Sequence, residues 1–136
     1  MFKKIEVQTR GKVDLVDITA EVQKAVEAQA INEGICFLYC PHTTAGIVLN
    51  ENWDPTVERD LAMVLDRMIP EDLAYRHSEG NSPGHIKSVL VGSDHFIFVQ
   101  NAQLQMGRWQ GIFLADFDGP RRRTVWLKVV RDAPSG

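Results

Sequence analysis

Cysteine is scarce in this chain: two residues, Cys36 and Cys40, among 136. Both lie in an apolar run that reads as a strand. Four strand steps of about 3.3 Å hold them ~13 Å apart, too far for a disulfide. The expectation is a pair of buried thiols in a reducing cytoplasm, with a metal or redox role as the alternative. Long apolar runs are missing too. No stretch approaches the roughly 18 residues of a membrane span, so no membrane partner is expected. Behind Met1-Phe2-Lys3-Lys4 there is no apolar segment, so no secretory leader is expected. A basic excess is also absent. The net charge is −3 and the pI about 5.8, which argues against a nucleic-acid partner.

Neither a repeat nor a Pro/Gly/Ser-rich linker divides the chain. One domain over residues 1–136 is expected, with 132–136 as a short flexible tail. Hydrophobic residues reach 44%, enough for a real core.

Ile5 and Val7 alternate with polar neighbours and predict a strand. Val13, Leu15 and Val16 predict another after a turn at Gly11-Lys12. Thr19 is the expected N-cap of a helix that buries Val22, Ala25, Val26 and Ala30, with Gly34 as its left-handed cap. Ile35 to Cys40 reads as a central strand stopped by Pro41. Ile47-Val48-Leu49 reads as the next. Asp54-Pro55 is a capping carboxylate followed by proline, the start of a helix that keeps its period to Met68. Residues Glu71 to Gly84 are polar and read as a long loop. Phe96 to Val99, Ile112 to Phe117 and Val125 to Val130 read as strands, the last two joined by a turn at Asp118-Gly119-Pro120. This order predicts an α+β fold, a mostly antiparallel sheet with helices packed on one face.

Chemistry-bearing residues fall in three clusters at strand ends and loops. The first is His42-Thr43-Thr44-Ala45-Gly46. Imidazole can bind metal or move protons near neutral pH, and hydroxyls with backbone N–H groups can hold phosphate oxygens. A turn whose threonines bond the backbone explains it equally well. Asn50-Glu51-Asn52 follows the next strand and alone reads as a solvated turn. The second cluster runs from His77 to His85, with Lys87 behind it. Its histidine spacing is no zinc signature, so two loop histidines converging on a metal compete with one exposed and one capping histidine. The third holds Trp109-Gln110, Asp116 and Asp118 to Arg123. Arg121 and Arg123 share one strand face and Arg122 takes the other. Arginine suits bidentate phosphate binding, and charges also guard a strand edge. His95, at a strand start, is read as structural.

His42-Thr43-Thr44-Ala45-Gly46, Asn50-Glu51-Asn52, Asp54-Pro55-Thr56-Val57, Gly84-His85-Ile86-Lys87-Ser88, Gly107-x-Trp109-Gln110 and Asp118-Gly119-Pro120-Arg121 occur in one order along nearly the whole chain. Together they resemble the YjbQ-like family of secondary thiamine-phosphate synthase enzymes. The resemblance implies a small α+β domain forming a homotrimer, with clefts near subunit boundaries where histidines, an acidic residue and often a metal or anion gather. It implies joining a hydroxymethylpyrimidine diphosphate to a thiazole phosphate with release of pyrophosphate. His42, His85 and Asp116 would be catalytic. Thr43, Thr44, Asn50, Glu51, Lys87, Trp109 and Arg121 would bind a small phosphorylated metabolite. A divalent metal would sit on His42, His77 and His85. Two positions depart from the family pattern, Asp116 in place of a glutamate and Ala102 in place of a glycine. A metal-dependent phosphohydrolase and a non-catalytic phosphometabolite-binding trimer are the alternatives.

Overall fold

The structure is a computed structural model describing residues 1–135. In chain order the elements are β1 (Lys3–Gln8), β2 (Asp14–Asp17), α1 (Thr19–Ala28), β3 (Gly34–Tyr39), β4 (Ala45–Glu51), α2 (Pro55–Met68), α3 (Ser82–Val91), β5 (Asp94–Gln100), β6 (Gln103–Leu104), β7 (Gln110–Asp116) and β8 (Arg122–Arg131). The α+β class with antiparallel pairing is what the chain adopts. Its strands divide between two sheets, β1-β8-β3-β5-β6 and β2-β7-β4.

Strand alternation explains the core. In β3, Cys36 and Leu38 turn inward, while Phe37 and Tyr39 turn out. In β8, Val125, Leu127 and Val129 do the same as Cys36. They meet Ala45 and Ile47 of β4 and Ile112 and Leu114 of β7 in one cluster between the sheets. Val22 and Val26 of α1, one helical turn apart, seal that cluster. α3 packs on β4. From Gly111 to Asp116, β7 is buried on every residue. Leu61, Val64 and Leu65 of α2 face Val48 and Ala115 across a small apolar cavity on the outer side of the lesser sheet.

Three local expectations need correction. Thr19 is the first residue of α1, not its cap. Asp17, two residues earlier, accepts both the Thr19 N–H at 2.9 Å and its hydroxyl at 2.6 Å. Gly34 does not end α1. The helix stops at Ala28, the left-handed residue is Ala30 (φ 55°), and Gly34 opens β3. A glycine is needed there because a Cβ would lie 2.2 Å from the Val130 carbonyl oxygen. The long loop ends at Asn81, since Ser82-Pro83 starts α3, with proline in a first turn that lacks N–H partners anyway. Of the expected tail, Asp132 N–H donates to Glu33 O at 3.0 Å, and Gly136 lies outside the described residues. The Asp54-Pro55 start is as expected, with Asp54 accepting from Thr56 N–H at 2.9 Å.

Candidate functional site

Strand ends assemble the site. β4 begins at Ala45, paired with Asp116 at the end of β7. Thr44 O accepts from Phe117 N–H at 2.9 Å, which ties the His42–Thr44 segment to the Asp116–Arg121 turn. The first turn of α3 rests on that turn. Gly84 makes this approach possible, since a Cβ would stand 3.0 Å from Phe117 O. Asn81 Nδ2 donates to Asp118 Oδ2 at 2.9 Å and closes the corner.

Beneath the surface lies a charged layer. Asp116 is fully buried and Arg123 is nearly so. Arg123 donates to both carboxylate oxygens, at 2.7 and 3.2 Å, and to Thr44 Oγ1 at 2.8 Å. Thr9 Oγ1 donates to Asp116 Oδ2 at 2.6 Å, and Asp118 N–H adds a bond at 3.0 Å. Burial alone would push the Asp116 carboxyl up. The hydrogen bonds from Arg123, Thr9 and Asp118 outweigh it and hold the group below its ordinary value.

Above that layer sits His42. Its Nε2 accepts the Thr124 backbone N–H at 2.9 Å. An acceptor nitrogen carries no proton, so the neutral ring has its proton on Nδ1. Burial, then the Arg123 charge, lowers the imidazole pKa and favours this neutral form. His42, Thr43 and His85 line an open cleft of about 400 Å³ with Ser88, Val89, Gly92 and Ser93. His77 crosses His85 edge to face, with ring centroids 5.2 Å apart.

Not every expected residue converges here. Asp116 is near, but its oxygens are spent on the buried layer. Lys87 is buried and pairs with Asp66 of α2. It stands two helical positions from His85, and residues at that spacing do not share a face. Arg121 is half-exposed and folds back on Asp118, donating to its carbonyl at 2.8 Å and its carboxylate at 3.0 Å. Asn50, Glu51 and Trp109 sit elsewhere. Glu51 pairs with Gln110 at the far end of β4, and Trp109 packs there against Trp53. His95 Nε2–H donates to Ile47 O at 2.9 Å, a structural role as expected. Sequence reasoning placed Arg123 in a candidate cluster beside Arg121 without its partner Asp116, and it did not single out Thr9 or Asn81. Arg123 had a signal, since it alternates with the inward Val125 and Leu127. Thr9 and Asn81 had none.

The sequence and the fold are similar to those of other proteins. The family model described as "UPF0047 protein YjbQ-like" matches residues 3–132. The chain belongs to the YjbQ-like UPF0047 family. Within that family it is 44% identical to a UPF0047 protein of Methanocaldococcus jannaschii over 132 residues, covering 97% of this chain and 96% of the other. YugU of Bacillus subtilis is 42% identical, over 96% and 99% of the two chains. A YjbQ/UPF0047 protein crystal structure from Clostridium acetobutylicum superposes with a TM-score of 0.92 at 44% identity, covering 94% and 99%. A YbjQ-like protein of unknown function from Sulfolobus solfataricus gives 0.92 at 30% identity, covering 97% of each chain.

The divalent metal that the YjbQ-like resemblance implies does not fit the residues as this chain arranges them. Among the described residues, no three His, Cys, Asp or Glu side chains gather closely enough to hold an ion. His42 Nε2 is committed to Thr124, and the nearest carboxylate to His77 is Glu79, at 3.9 Å. No chemical step below runs through a metal. Among the described residues, no helix is long and apolar enough to cross a membrane.

Proposed function

We propose that this YjbQ-like protein is a transferase of the secondary thiamine-phosphate synthase kind, a homotrimer that takes small phosphorylated metabolites in the His42–His85 cleft. In the reaction the thiazole nitrogen lone pair attacks the methylene carbon of the pyrimidine diphosphate. The C–N bond forms, the C–O bond breaks, and its electron pair leaves with pyrophosphate.

Such a displacement asks the protein for positioning and for stabilisation of the leaving charge, not for a nucleophile. The cleft has that character. Thr43 offers a hydroxyl, and His42 and His85 offer ring N–H groups. The observation that carries the reading is the Thr124 N–H bond to His42 Nε2. It fixes His42 as a hydrogen-bond donor through Nδ1, the polarity a diphosphate oxygen requires. Asp116 and Arg123 neutralise one another, so they support the cleft floor rather than exchange protons in it. The two buried free thiols suit a cytoplasmic setting.

The test is turnover with a hydroxymethylpyrimidine diphosphate and a thiazole phosphate, followed by chromatographic detection of thiamine phosphate. His42→Ala is expected to abolish product while circular dichroism stays unchanged. Full turnover in that variant overturns the assignment. Inorganic phosphate released from either substrate alone would identify a hydrolase instead.

A further inference from the structure

The cleft holds donors for phosphate oxygens but little for a ring. Its lining carries no indole, phenol or phenyl side chain and no carboxylate. Both are found next door. A second open pocket, of about 450 Å³, is lined by Phe37, Leu38 and Tyr39 of β3 and by Asp94, His95 and Phe96 of β5.

Strand pairing builds this pocket. Tyr39 stands opposite Asp94, and Phe37 stands opposite Phe96. Alternation puts these four side chains on the outer face of the larger sheet, where each is exposed. Side chains directly opposite lie about 5 Å apart, and those two positions along a strand about 7 Å, so the four outline a patch the size of one six-membered ring. The walls are held in place. Tyr39 leans on Trp126 with centroids 5.7 Å apart, and Phe37 meets Phe96 at 6.5 Å with the rings tilted by 48°.

Asp94 is the polar element of the patch. It forms no ion pair among the described residues. A carboxylate only accepts hydrogen bonds, so a guest must bring N–H donors as well as flat apolar faces. An aromatic ring with an amino group beside a protonated ring nitrogen presents two parallel N–H bonds, and that fork matches the two carboxylate oxygens as a guanidinium does. A bare aromatic ring satisfies the walls and leaves Asp94 without a partner.

The pocket and the cleft share a border. Ser93, which lines the cleft, immediately precedes Asp94. Its carbonyl accepts from Cys40 N–H at 2.7 Å, one step beyond the Tyr39–Asp94 pair. His42 follows Tyr39 by three residues, at most about 11 Å along the chain. A ring lying against Tyr39 and Phe96 therefore reaches the cleft with a methylene diphosphate arm.

We propose that this pocket is the ring subsite of the cleft and is specific for an aminopyrimidine: Phe37, Tyr39 and Phe96 cover the ring, and Asp94 accepts from its amino group. The proposal rests on the reading of the cleft as a phosphate site. It also assigns the two substrates their places. The thiazole nitrogen brings a lone pair and no N–H, so it would face the Asp94 oxygens unfavourably, and the pyrimidine half takes the pocket. Asp94 thus sets ring specificity, and no bond forms or breaks on it.

The test uses rings that carry no phosphate, so the cleft plays no part in it. In amide NMR titrations, 4-aminopyrimidine is expected to move the Tyr39, Asp94 and Phe96 signals. Unsubstituted pyrimidine should bind about tenfold more weakly, the worth of one hydrogen bond to a charged group. Asp94→Ala should remove that preference while leaving pyrimidine binding unchanged, with Asp94→Asn as the second variant should alanine disturb the strand end. Phe96→Ala should weaken both rings alike, which separates the wall from the carboxylate. Equal affinity of wild type for the two rings, a preference that survives loss of the carboxylate, or shifts confined to other residues overturns the proposal. Inorganic pyrophosphate is titrated separately and is expected to move the His42 and Thr43 signals without changing the ring affinity. Displacement of the ring by pyrophosphate puts both in one place and overturns the proposal. If pyrophosphate does not bind, the phosphate reading fails, while the ring titrations still decide the pocket.

Discussion

Asp116 and Arg123 stand 2.7 Å apart at the bottom of the site, both almost wholly withdrawn from solvent. They lie on neighbouring strands in sequence but in different sheets, so their contact pins the lesser sheet to the larger one. Thr44 and Thr9 occupy the remaining polar positions, which leaves the pair satisfied on all sides.

Breaking this pair from one side is expected to be severe. Arg123→Met leaves a buried carboxylate without its cation and should cost about 3–5 kcal/mol of stability in urea unfolding. The double variant Asp116→Leu/Arg123→Met should recover much of that loss, because no unpaired charge remains. A single variant within 1 kcal/mol of wild type, on the order of a surface effect, would show that the pair is not desolvated as described.

Acid should act through the same group. The folded-state pKa of Asp116 is below its ordinary value, so the unfolded chain takes up a proton first as pH falls. The stabilisation is complete above the unfolded pKa, about 3.9, and is lost as pH drops through the lower folded value. Urea midpoints of wild type are expected to fall more steeply below pH 4 than those of Asp116→Asn. Parallel profiles would remove Asp116 from the account.

His42 titrates with the same sign for a different reason. Its folded pKa lies below the ordinary value of 6.5, so the neutral ring contributes stability above that pH and the contribution fades as pH falls through the folded value. Protonation would also expel the Thr124 N–H from Nε2. The His42 ring resonances in NMR should therefore move only below pH 6.5, together with the Thr124 amide. A midpoint at or above 6.5 contradicts the assigned donor and acceptor roles.

Gly34→Ala tests the close pairing of β3 and β8. The added methyl would meet the Val130 carbonyl oxygen at 2.2 Å, and backbone cannot swing aside as a side chain can. A loss of about 1–3 kcal/mol or more is expected, as for other overpacked sites. Thermal unfolding of the variant measures it; an unchanged midpoint would mean that the strands separate at little cost.

Much of the scaffold was legible because its causes are local. Alternation in Ile5-Glu6-Val7 and from Val125 to Val129 marked strands, and Asp54-Pro55 marked a helix start. The misplaced boundaries have local competitors. Asp17 could cap in place of Thr19, and Ala30 took the left-handed turn usually given to glycine. α3 escaped notice because Ser82-Pro83-Gly84 reads as loop chemistry until tertiary packing on β4 secures it. The site was legible as residue types but not as partnerships. Lys87, expected near phosphate, binds Asp66, and Trp109 stands at the other end of a strand from His42.

The sequence by itself determined the α+β class, the period of each strand and the set of polar residues gathered near turns, since these follow from side-chain spacing and turn chemistry over a few residues. Only the tertiary structure decided that Thr9 reaches Asp116 across 107 positions, that His42 takes its hydrogen bond from Thr124 across 82, and that Arg123 rather than Arg121 neutralises Asp116. Those pairings come from how two sheets stack and which edges meet. Burial then makes each bond obligatory, because a polar group withdrawn from water must find its partner inside the protein.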